Sequence, residues 1–191
     1  MRAVDPDVVA GLHPADESRL GQTLNTVRTA NGQDLLAGLL PEGARTQGVA
    51  DFFRCCRFEH AAVLVFPDDT SSVVSVLQRE GLRIRSEVPS TVVRGRLAAR
   101  YRMSEDRFDV WIIHGAVPGG TLREVEVFAL PLRPGLEPVA DDERVHDREA
   151  HVAFEVVDPD PVTVGGLWDM LTGVAGGAGI GEFGGGGVAG L

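Results

Sequence analysis

Three apolar segments of strand length, each closed by proline or glycine, dominate the middle of the chain. They are EHAAVLVF (59–66) before Pro67, FDVWIIHG (108–115), and REVEVFALP (123–131). Runs this short, rich in β-branched and aromatic residues and bounded by turn formers, read as strands rather than helices. DDTSSVVSVLQREG (68–81) reads as a helix: Asp69 or Thr70 can cap it, Val73, Val74 and Leu77 form its apolar stripe, and Gly81 ends it. LRIRSEV (82–88) alternates apolar and polar as a half-buried strand does, and TVVRGRLAARYRM (91–103) reads as a further extended segment. The order is β, α, β, β, β, β, or βαβββ if the two middle segments share one strand. The class is therefore α+β, with one sheet at its centre.

On either side the pattern changes. Residues 1–16 are irregular, 17–30 carry Leu20, Leu24 and Val27 at helical spacing, 34–40 form a short apolar helix or turn, and 46–57 read as another helix. Residues 132–150 hold Pro134, Pro138 and a run of acids, and read as a linker. HVAFEVVDPDP (151–161) is again a strand with a turn, 162–174 a helix weakened by paired glycines, and the remainder is more than half glycine. The expected organisation is an N-terminal helical extension (1–57), a first module (58–131), an acidic linker (132–150) and a partial second module with a glycine-rich tail (151–191).

Composition excludes several functions. The net charge of −10 opposes nucleic-acid binding, which needs cationic surface, and docking on anionic lipid. All 18 basic residues are arginine. Without lysine there is no P-loop and no Schiff-base chemistry. The only cysteines, Cys55 and Cys56, are adjacent, a spacing that disfavours a disulfide and fits a reducing compartment. The first residues lack the apolar core of a signal peptide, and no apolar run approaches the roughly 20 residues that cross a bilayer. The expectation is a cytoplasmic protein. GIGEFG (179–184) matches a dinucleotide fingerprint in letters only, because the chain ends seven residues later. There is no GxSxG, CxxC or HExxH.

A weak internal repeat carries the functional reading. EHAAVLVFPDD (59–69) and AHVAFEVVDPD (150–160), 91 residues apart, each open an apolar strand with histidine and end it in a Pro/Asp turn. In 123–131, Glu124, Glu126 and Phe128 fall on one strand face and Val125, Val127 and Ala129 on the other; in 108–115, Val110, Ile112 and His114 share a face.

With His60 opening the first strand and Glu126 in the closing one, residues 58–131 resemble one βαβββ module of the vicinal oxygen chelate superfamily. That group includes glyoxalase I, extradiol dioxygenases and bleomycin-binding proteins. The resemblance implies paired modules in a curved mixed sheet around a metal. It implies His60, Glu126 and His151 as ligands to a divalent metal (Fe, Mn, Zn or Ni), with His114 as a substitute ligand or general base. It further implies isomerase, lyase or dioxygenase activity on a small oxygenated metabolite. Only 41 residues remain from His151 onward, so the second module is incomplete. Either another copy completes the site, as a homodimer, or the second module is degenerate.

Eight arginines and four acids lie between Arg79 and Arg107. Arg94 with Arg96, and Arg100 with Arg102, are candidates to grip an anionic substrate group, and the alternative is pairing with the acids of 141–149. Trp111 is a candidate substrate contact, though tryptophan is more often a core or interface anchor. Two other readings stand beside the enzyme. One is a metal-free binding protein whose pocket is lined by Tyr101, Trp111 and Phe128. The other is an interaction module using the N-terminal helices and the glycine-rich tail.

Overall fold

The computed structural model describes residues 11–39, 52, 54–119, 123–157, 159, 161, 162 and 164–166. Most of the expected helices 46–57 and 162–174, together with Trp168 and the glycine-rich tail, lies outside the described residues. The chain divides into two compact units, residues 1–30 with 58–154, and residues 31–57 with 155–191. The elements are α1 (Pro14–Thr29), α2 (Gly32–Leu39), β1 (Cys56–Val65), α3 (Thr70–Arg79), β2 (Arg83–Pro89), α4 (Thr91–Tyr101), β3 (Trp111–Ala116), β4 (Glu124–Ala129), α5 (Glu137–His146) and β5 (His151–Val156). A 3-10 turn covers Glu105–Arg107. The protein is α+β, with an open, mixed five-stranded sheet in the order β2-β3-β4-β1-β5.

In the larger unit, β1 runs parallel to β4, and β3 is antiparallel to both β2 and β4. The parallel pair sets Val63 opposite Val127 and Val65 opposite Ala129, all fully buried. Strands buried on both faces need such continuous apolar runs. Alternation sends Ala61, Val63, Val65, Val125, Val127 and Ala129 to one face. There α1 presents Leu20, Leu24 and Val27, and α3 presents Val73, Val76 and Leu77. Gly115 of β3 belongs to this face. A Cβ at Gly115 would stand 3.0 Å from Val125 Cγ1 and 3.1 Å from Leu82 Cδ2, so any larger residue there would make these side chains give way by a few tenths of an ångström.

Helix α3 begins as its sequence suggests. The Asp69 carboxylate accepts from the Ser72 N–H at 3.0 Å, and Gly81 at φ 79° ends the helix.

Two segments differ from their sequence reading. Of the segment 91–103, residues 91–101 form helix α4, not a strand. Ser90 caps it by accepting from the Val93 N–H, and Val93, Leu97 and Ala98 recur at the helical period and are buried. The two β-branched residues at its start and the alternating arginines mimic a strand over a few residues, but the full period is helical. A helix therefore separates β2 from β3, and the order is βαβαββ, not βαβββ. The acidic stretch 132–150 is not a plain linker either. Pro138 sits in the first turn of α5, where its missing N–H costs nothing, and Leu136, Val139 and Ala140 supply its apolar stripe.

Together α4 and α5 cover one end of the second sheet face. Val93, Leu97, Ala98, Val139 and Ala140 pack with Ala62, Leu64 and Phe128 of the sheet, and with Phe108 and Leu130. The sheet thus lies between two helical layers at that end, and its second face is less covered at the other.

In the smaller unit, Val157 N–H donates to the Cys55 carbonyl at 2.6 Å and Arg57 pairs with Glu155 at 2.6 Å. The Cys56 thiol is pushed up to about 11 by burial and by Cys55 beside it, so it is protonated at neutral pH.

Leu97 is fully buried between α4 and the sheet, whereas Val92 on the same helix is exposed. Leu97→Ala is expected to lower unfolding free energy by about 2–5 kcal/mol, and Val92→Ala by less than about 0.5 kcal/mol, in urea denaturation followed by circular dichroism.

Candidate metal centre

The β1–β4 register places His60 opposite Glu124 and Ala62 opposite Glu126, and β3 places His114 opposite Glu126. Period-two alternation then sends His60, Glu124, Glu126 and His114 to one face, the second face of the sheet. Toward one end of that face stand Leu64 and Phe128 under α4 and α5. Toward the other end stand the polar groups, half-buried beyond the cover of those helices. His151, first residue of β5, joins them from the strand on the far side of β1. Its ring packs beside Phe128, with centroids 6.0 Å apart.

The groups converge closely. His60 Nε2 is 3.4 Å from Glu126 Oε2, His151 Nε2 is 3.5 Å from the same oxygen, and the two Nε2 atoms are 3.4 Å apart. His60, Glu126 and His151 thus form a possible metal-binding triad. A triangle with sides of about 3.4 Å has its corners about 2.0 Å from its centre, the length of a zinc–nitrogen or zinc–oxygen bond. The donor set, two imidazoles and one carboxylate, suits iron, manganese or zinc alike.

Hydrogen bonding narrows the protonation of the triad. His151 Nδ1 lies 2.9 Å from the Glu149 carbonyl oxygen, which can only accept, so Nδ1 carries the proton. In neutral His151 the opposite nitrogen then offers a lone pair to Glu126 and His60. Where His60 Nε2 also presents a lone pair, the three groups repel at 3.4–3.5 Å unless a proton or a metal ion lies among them; a His60 Nε2–H donating to Glu126 relieves that repulsion by itself.

The titration behaviour agrees. Burial alone would push the Glu126 carboxyl up. The hydrogen bonds from His151 and His60, with the positive charge of His60 and His114, outweigh it and bring it from the usual 4.5 to about 2. Hydrogen bonding to Glu126 raises His151 above its ordinary value, against the effect of burial and of nearby Arg96.

His114 occupies the other side of Glu126. Its Nε2 is 3.8 Å from Glu126 Oε1 and its Nδ1 is 3.6 Å from Glu124 Oε2, while Glu124 is held by Arg85 at 2.8 Å. Glu59 Oε2 faces His60 Nδ1 at 3.6 Å. These flanking acids were not singled out as site residues from the sequence. Glu124 was legible there, since it falls two residues before Glu126 on the same strand face.

The arginines take other places. Because 91–101 is helical, Arg94 and Arg96 do not share a face; Arg96 and Arg100, four apart, do. Both reach the buried Glu149, Arg96 at 3.4 Å and Arg100 at 2.8 Å, and Arg100 also binds the buried Glu143 at 2.6 Å. Arg94 lies 3.6 Å from Glu105, and Arg102 is exposed at the left-handed end of α4 (φ 53°). Tyr101 donates toward Asp142 or Glu143 at 2.7 Å. Trp111 stands on the strand face opposite to His114, with its indole N–H on Asp109 at 3.1 Å. Of the aromatic candidates Phe128 alone adjoins the triad.

Comparison with protein-family models, with curated proteins and with solved structures gives no match for this chain. Among the described residues no helix is long and apolar enough to cross a membrane.

The lowered pKa of Glu126 has a sign that can be measured in the metal-free protein. A depressed folded-state value supplies stability above the unfolded value near 4.5, and that stability is lost as pH falls toward about 2. Urea midpoints of the wild type should drop across this window. Glu126→Gln should show a shallower drop over the same interval, and equal slopes would refute the assignment.

Proposed function

We propose that this chain is a metal-dependent enzyme of the glyoxalase-like type, acting on a small oxygenated metabolite as an isomerase, lyase or dioxygenase. The observation that carries the reading is the convergence of His60, Glu126 and His151 from three neighbouring strands, at spacings equal to those around one ion. The resemblance to the vicinal oxygen chelate plan supports the same reading only through the places of His60 on the first strand and Glu126 on the last, since a helix interrupts the βαβββ order here.

In this reading His60, Glu126 and His151 hold a divalent metal, which supplies a Lewis acid able to polarise a substrate oxygen. The remaining roles fall to the chain. Glu126, ionised across the physiological range, gives the site its negative charge. His114 lies beside the outer oxygen of Glu126 and against Glu124, on a face that α4 and α5 leave partly open. From there it can take a proton from a bound substrate and share it with the Glu124 carboxylate, with Arg85 fixing that carboxylate from the far side. Arg96, half-exposed and near enough for its charge to act on His151, offers that charge for an anionic substrate group.

Metal content of the purified protein, measured by mass spectrometry beside His60→Ala and Glu126→Ala, tests the proposal. Near-stoichiometric iron, manganese, zinc or nickel is expected in the wild type, with loss of at least tenfold in affinity in either variant. A folded wild type that refuses added divalent metal would remove the enzyme reading and favour a metal-free binding protein.

A further inference from the structure

His151 is the first residue of a strand at the edge of the sheet, reached from α5 through a turn at Asp147–Ala150. It therefore lacks the strand context before it that fixes His60 and Glu126. On the Nδ1 side its ring is aimed by a hydrogen bond to the Glu149 carbonyl at 2.9 Å. The direction of that carbonyl depends on how the turn is anchored: the Ala150 N–H donates to the Asp147 carbonyl at 3.0 Å, Asp147 pairs with Arg19, and the Glu149 side chain is the hold next to His151. Glu149 is 3% exposed, with Oε1 on Arg100 at 2.8 Å and Oε2 on Arg96 at 3.4 Å. The second arm of Arg100 donates to Glu143 of α5 at 2.6 Å. One guanidinium on α4 thereby ties both α5 and the turn that leads to His151.

We propose that Arg100, acting through Glu149, is a positioning residue that holds the His151 ring with Nδ1 protonated and Nε2 turned toward His60 and Glu126. The inference rests on the metal reading of the site for its purpose, and on hydrogen-bond geometry for its content. Burying two carboxylates against arginine carries a desolvation cost that apolar side chains of like volume avoid. What the guanidinium adds is direction, because its planar fork fixes two carboxylates at set angles. Free imidazole favours the proton on Nε2, the form that cannot ligate through that nitrogen. A hydrogen bond at Nδ1 is the usual means by which proteins select the other form.

The test uses the full chain as wild type, Arg100→Gln, Arg100→Lys and Val139→Ala, the last a cavity in the apolar core beneath α5 that removes no hydrogen-bonding group. Long-range proton–nitrogen correlation spectra of the metal-free proteins at about pH 9, well above the ordinary imidazole value, read the His151 tautomer. Zinc affinity is read by competition with a chromophoric chelator. Wild type should show the Nδ1–H form. Arg100→Gln should show a mixture with the Nε2–H form and bind zinc about 10–100-fold more weakly. Arg100→Lys should fall between the two, and it decides the matter if the glutamine variant does not fold. Val139→Ala should lose stability yet keep the wild-type tautomer, with zinc affinity within about threefold. An unchanged tautomer in the Arg100 variants, or an equal change in Val139→Ala, overturns the proposal. A wild type that binds no zinc, but whose tautomer still follows Arg100, sinks the metal reading and leaves the positioning role standing.

Discussion

Val63 lies opposite Val127 in the parallel pairing of β1 with β4, and both are fully buried. Because side chains alternate along each strand, this one register decides which residues every other element must meet. A slip of one residue would send His60 and Glu126 under α1 and α3, and would expose the valines. The burial of the valines under two helices is thus what holds the polar groups on the opposite face. Each buried valine contributes on the order of 1.5–3 kcal/mol.

The second sheet face is divided along its length. At one end α4 and α5 seal Leu64 and Phe128 from water; at the other, His60 and Glu126 stand half-buried and His151 is exposed. This position suits a binding centre, since partial burial strengthens electrostatic attraction while leaving a way in. It also explains why Glu126 is held near 2 although burial opposes ionisation: the histidines around it supply more than the lost water. A second electrostatic layer lies behind. Asp16 is completely buried and receives Arg144 at 2.8 Å, and Glu143 and Glu149 receive Arg100. In a chain without lysine all these contacts are guanidinium forks, which bind carboxylates through paired donors and orient as well as neutralise them.

The strands and the residues of the triad were legible in the sequence for simple reasons. β1, β3 and β4 are apolar runs ended by proline or glycine, and β2 alternates. His60 and His151 were picked out by a shared context 91 residues apart, and they meet across adjacent strands with Nε2 atoms 3.4 Å apart. Helix α4 was not legible as such. Val92 and Val93 favour strands locally, while the burial of Val93, Leu97 and Ala98 against the sheet overrides that preference. The acidic stretch misled in a different way. Glu143 and Glu149 are buried against expectation for their type, and only arginines on another helix make that burial tolerable. A reading of residues 137–149 alone has no access to those partners.

By itself the sequence determined the α+β class, the four central strands, the face on which Glu126 stands, and the candidate histidines. Each of these depends on local period and on turn residues, which act over a few positions. Tertiary structure decided the strand order, the parallel β1–β4 pairing, the helical state of 91–101 and the convergence of His60, Glu126 and His151. It also moved the arginines away from their expected alignment and into contact with buried acids. Those outcomes depend on contacts between residues far apart in the chain, where the burial of apolar surface and the pairing of charge are settled together and no local pattern records the result.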